Sequence, residues 1–96
     1  MNNVEKLKII LNHELLSAEG LSFLEVLEGL TPKNSNVIEG SLNAIAAYQK
    51  ETFDKAFSLM FAGSPEYKNL IKLDANLKVG LFVRELIKIV GVFNGE

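Results

Sequence analysis

Apolar residues recur along this chain at separations of three and four, the spacing that lines one side of a helix. Val4, Leu7, Ile10, Leu11 and Leu15 share one face, with Ile9 and Leu16 on a smaller strip behind. Further on, Ile38, Leu42, Ile45, Phe53, Ala56 and Met60 fall on one stripe, and Glu39, Asn43, Lys50, Asp54 and Ser58 fall opposite it. The last segment is the most apolar. Val79, Phe82, Val83, Leu86, Ile87, Ile89, Val90 and Phe93 cover an arc of about 160°, against the ~100° that one packed face needs.

Punctuation divides these stripes at Gly20, at Thr31-Pro32-Lys33-Asn34-Ser35 and at Gly63-Ser64-Pro65. A helix-start signal follows each break. Ser22 with Glu25 reads as a capping box, and Asn36 with Glu39 as a looser one. Ser64 before Pro65 reads as a cap followed by proline at the first helical position. Pattern and caps together predict helices over 4–17, 22–30, 37–62, 65–73 and 76–93. The alternating run Ile87-Lys88-Ile89-Val90-Gly91-Val92-Phe93 also fits a terminal strand, although no second strand is evident to pair with it. The fold class that follows is all-α: one helical domain over 1–96, a compact bundle of about four to five helices. The long 37–62 helix is its expected scaffold and the 76–93 helix its apolar C-terminal element.

Composition agrees with a packed domain. A hydrophobic share of 48% and a charged share of 23% can bury enough surface to offset chain entropy. The net charge of −2 and the single arginine, Arg84, give no basic stripe of the kind that holds phosphates. Residues 1–64 carry five lysines against eight carboxylates, and residues 65–96 five basic groups against four acidic ones. The absence of cysteine removes disulfide and thiolate chemistry and suits a reducing compartment. The first residues lack a signal peptide's layout, and Leu81–Phe93, interrupted by Arg84, Glu85 and Lys88, is too short to span a bilayer. The expected location is the cytoplasm.

Candidate chemistry is sparse. His13 is the only histidine and projects on the polar side of the first helix, so no metal set or catalytic triad forms around it. The glycines are dispersed and build no phosphate loop. Two polar residues interrupt apolar faces: Glu14 between Ile10 and Leu11 on the main face of the first helix, and Gln49 in the middle of the Ile38–Met60 stripe. Each is either a buried polar group fixing packing, with Glu14 reaching a lysine or Arg84, or a ligand contact in a groove between helices. Residues 21–48 have the outline of a helix-turn-helix, but the reading helix would hold Glu39 and no basic group before Lys50.

These observations describe a chain without catalysis, cofactor or metal. The expected function is a small protein-binding module, an adaptor, inhibitor or accessory protein acting through a helical surface. The alternative is a small-ligand or nucleotide-binding bundle, with Glu14, Gln49, Arg84 and Lys88 as polar contacts, and DNA binding ranks behind both. Leu77, Leu81, Arg84, Glu85, Lys88 and Val92 mark the expected interface, since the apolar arc of 76–93 leaves Leu81 and Val92 outside it. A two-fold homodimer through this helix is the favoured assembly. The competing explanation is a central helix enclosed by the others in a monomer.

Overall fold

A computed structural model of the chain describes the backbone of residues 2–31 and 33–93, with side chains as far as Gly91. All its regular structure is helical: α1 Asn3–Ile10, α2 His13–Ser17, α3 Phe23–Gly29, α4 Asn36–Tyr48, α5 Lys50–Phe61, α6 Tyr67–Leu70 and α7 Ala75–Phe93. The protein is an all-α bundle. Helix α7 runs unbroken through 87–93, so the terminal strand does not form.

Two long predicted helices are interrupted, each for a physical reason. Within 4–17, Asn12 takes an extended conformation (ψ 170°) and its side-chain oxygen accepts the Leu15 N–H at 3.0 Å. Asparagine suits such a cap because it satisfies a free amide that the new helix start creates. The turn lets Leu7, Ile10 and Leu11 on one side of it, and Leu15 and Leu16 on the other, all reach the core.

The 37–62 segment forms two rods, α4 and α5, that meet at Gln49 (φ −136°, ψ 59°). A straight helix of that length would measure about 39 Å, whereas the molecule extends 33 Å along its longest axis. Folding at Gln49 brings the Ile38–Ala46 face and the Phe53–Met60 face onto one core. The junction stays hydrogen-bonded: the Gln49 N–H donates to the Ile45 carbonyl at 2.7 Å, and its own carbonyl accepts from Thr52 and Phe53.

The remaining ends follow local chemistry. The Ser22–Glu25 capping box is present in both directions, at 3.1 and 3.2 Å. Asn36 caps nothing: α4 starts one residue earlier, behind Ser35, with no side-chain cap. Gly20 (φ 64°) sits in the left-handed region and closes the end of α2, where the Leu21 N–H reaches the Leu16 carbonyl at 2.8 Å. The 65–73 segment narrows to the single turn α6, entered by the Ser64 Oγ accepting the Glu66 N–H.

Helix α7 lies at the centre and packs against α1, α4 and α5. Its Val79, Phe82 and Leu86 are fully buried, and Phe82 meets Phe53 of α5 at 5.4 Å between ring centroids. Phe53 in turn meets Phe57 at 6.0 Å, and Phe57 meets Phe61 at 4.7 Å, all tilted as aromatic quadrupoles prefer. Three neighbours account for the width of the apolar arc on this helix. No helix of the described residues is long and apolar enough to cross a membrane.

Candidate functional site

Helix α7 has two flanks of opposite character. Toward α4 it borders an open groove; toward α5 and α6 it borders a small polar cavity.

The groove follows from how α4 and α7 run. Ser35 shares its lining with Val83 and Ile87, while Glu39 also shares a lining with Leu73, Asn76 and Leu77, so the two helices are antiparallel. Two depressions, of about 490 and 240 Å³, adjoin at Glu39, Gly80 and Arg84. Together they run from Leu73, just before α7, along α7 from Asn76 to Ile87, a length of about 17 Å at the helical rise. Leu77 is 57% exposed, and Leu73, Leu81 and Ile87 are half-buried. Gly80 forms part of the floor, and a Cβ added there would meet nothing within 4 Å. Glu39 and Arg84, of opposite charge, stand on the walls, and neither makes an ion pair among the described residues.

The polar cavity, of about 260 Å³, is lined by Lys50, Asp54, Phe57, Ser58, Tyr67, Ile71 and Lys78. Lys50, Asp54 and Ser58 are four residues apart on α5 and therefore form one stripe. Periodicity places that stripe on the far, solvated side of the 37–62 helix; in the structure α6 and α7 cover part of it. The Lys78 side chain is only 10% exposed, and its Nζ donates to Asp54 Oδ1 at 3.1 Å. The same ammonium lies 5.7 Å from the centroid of the Phe57 ring, within cation–π range. The Ser58 and Tyr67 hydroxyls are hydrogen-bonded to each other across the mouth between α5 and α6.

Lys78 is the buried charged residue of the described core, and composition alone treats it as one more surface lysine. A signal was available in its position: Lys78, Phe82 and Leu86 follow each other at intervals of four, on the sealed side of α7. A long aliphatic stem allows this, since it packs as an apolar group and delivers the charge to a partner at its tip.

The interrupting polar residues are not buried. Glu14 is exposed at the start of α2, and its carboxylate accepts from Lys55 at 3.4 Å. Gln49 is exposed because the helix breaks there, and it lines a shallow dent at the α4–α5 corner with Tyr48, which is 87% exposed. The structure does not bring Glu14, Gln49, Arg84 and Lys88 into one site. Of the expected interface, Leu77, Leu81 and Arg84 line the groove, Glu85 and Lys88 pair with each other at 3.9 Å along α7, and the Val92 side chain lies outside the described residues. His13 is exposed, and no group of acidic or histidine side chains among the described residues could hold a metal ion. Helix α4, the would-be reading helix, carries no basic residue, and its Asn43 turns inward with a buried Oδ1 that has no hydrogen-bond partner among the described residues.

Fold and surface together define a small helical bundle with a groove on one side of its central helix and a charged cavity on the other. Among known proteins no family model, no curated sequence and no solved structure matches this chain.

Proposed function

We propose that this protein is a non-catalytic protein-binding module whose docking surface is the α4–α7 groove, and that a second copy of the chain is its first occupant. The observation carrying the proposal is the apolar row Leu73, Leu77, Leu81 and Ile87 beside α4, of which Leu77 is exposed and the other three are half-buried. A groove of this length and lining suits the apolar face of an amphipathic helix. Charge supports the second copy as occupant. A two-fold axis through the groove sets Arg84 of one copy against Glu39 of the other, twice, and an isologous interface needs that self-complementarity.

Sedimentation equilibrium at micromolar concentration tests it. The expected result is a mass above the 10.6 kDa of one chain, falling to one chain in Leu77→Glu and in Arg84→Glu, and restored when Arg84→Glu is combined with Glu39→Arg. A mass of one chain for the unaltered protein at every concentration overturns self-association through this face.

A further inference from the structure

We infer that the cavity between α5, α6 and α7 is a binding site for a small organic carboxylate. It is independent of the groove, lying on the other flank of α7.

The charge inventory of the cavity comes first. Two lysines, Lys50 and Lys78, face one carboxylate, Asp54, so the lining carries one positive charge in excess. Lys50 makes no ion pair among the described residues. Lys78 offers three donors, and Asp54 Oδ1 is its one hydrogen-bond acceptor among the described residues. A lysine side chain nine-tenths buried, with ammonium donors to spare beside an open space, favours an anion there. One of the Ser58 and Tyr67 hydroxyls donates to the other, which leaves a single O–H free to donate to an oxyanion.

The apolar lining then narrows the ligand. Phe57 and Ile71 form part of the same wall, so a bare inorganic anion leaves them unpaired, while a carboxylate on a short hydrocarbon or aromatic body covers them. The volume of about 260 Å³ admits a metabolite-sized acid. Asp54 acts as a positioning residue, holding the Lys78 ammonium toward the cavity.

The test uses benzoate as probe, with benzyl alcohol as its uncharged counterpart and inorganic phosphate as an anion without an apolar body. Amide chemical shifts of the full chain are followed through millimolar additions. Benzoate is expected to give saturable shifts at Ser58, Tyr67, Ile71 and Lys78, at least tenfold tighter than benzyl alcohol or phosphate. Lys50→Gln, at an exposed position, keeps the fold and is expected to weaken benzoate binding several-fold. Lys78→Met is expected to weaken it by roughly 10–100-fold, as loss of a charge-assisted hydrogen bond does. Should Lys78→Met fail to fold, Lys50→Gln and the benzyl alcohol comparison decide alone. Absence of saturable shifts overturns the inference, as does benzyl alcohol binding as tightly as benzoate, or benzoate binding unaltered in Lys50→Gln. Phosphate binding tighter than benzoate replaces the organic carboxylate with an inorganic anion and overturns it too.

Discussion

The two flanks of α7 reverse the usual arrangement of charge and oil. On the α5 side a lysine is buried, and on the α4 side three leucines are left partly in water. The difference comes from what each neighbour offers. Helix α5 presents Asp54 beside Phe57, an acceptor and a ring face that together make a buried ammonium tolerable. Helix α4 presents Glu39 there, so its edge does not close over the leucines as an apolar surface would. A helix can thus be central and still carry surfaces with different partners, provided that the polar residues of its neighbours decide where closure stops.

The comparison can be broken hardest at the sealed face between the flanks. Leu86→Glu buries a carboxylate with no partner in a fully enclosed position and is expected to cost more than about 4 kcal/mol, comparable to the stability of a small domain. Circular dichroism should show an unfolded chain. Leu81→Glu, at the groove, is expected to stay folded, with a stability change below about 1 kcal/mol. Equal loss in both variants would mean that the groove is part of the core.

Next in size is the ion pair of the polar flank. A double-mutant cycle between Lys78→Met and Asp54→Asn, read by urea unfolding, is expected to give a coupling of about 1–2 kcal/mol. Asp54 is 39% exposed, and water at that end keeps the value below that of a sealed pair. The same cycle on Lys55 and Glu14, both more than half exposed, is expected to give less than about 0.5 kcal/mol. Similar couplings would remove the distinction between a buried and a surface pair.

Two glycines give a smaller contrast. Gly80 lies within a helix with open space over its Cα, so Gly80→Ala is expected to raise stability by about 0.5–1 kcal/mol through lower backbone entropy. At Gly29 a Cβ would sit 3.0 Å from Ile38 Cγ1, and Gly29→Ala is expected to gain nothing or to destabilise, because overlap with a packed side chain offsets the helical gain. The thermal melt should rise for Gly80→Ala and stay level or fall for Gly29→Ala. The smallest effect is expected for Leu77→Gln, within about 0.5 kcal/mol of the parent, because its side chain is largely wet already.

Helix identity was legible where propensity and tertiary demand agree. The 22–30 and 76–93 predictions come within a residue of α3 and α7 at each end, since a capping box starts the first and an unbroken apolar arc runs through the second. The breaks were harder. Asn12 is a good cap, but it is embedded in a run whose apolar spacing continues past it. Gln49 has no breaker chemistry at all: the break there lets the apolar faces of α4 and α5 reach one core, a constraint that belongs to the whole fold. The cavity was illegible for the same reason. Lys50, Asp54 and Ser58 form a polar stripe on any helical projection, and only the path of the chain after Phe61 brings Tyr67 and Lys78 over it.

The central place of α7 also sets an order of events during synthesis. Ribosomes deliver α1 through α6 first, at roughly 5–20 residues per second. Until residues 75–93 emerge, Leu7, Ile45 and Phe53 have only part of their surroundings, because α1, α4 and α5 touch one another but lack the helix they share. A nascent chain halted at Asp74 therefore holds a core with its central helix missing, open to chaperones and proteases, and residues 75–93 complete it.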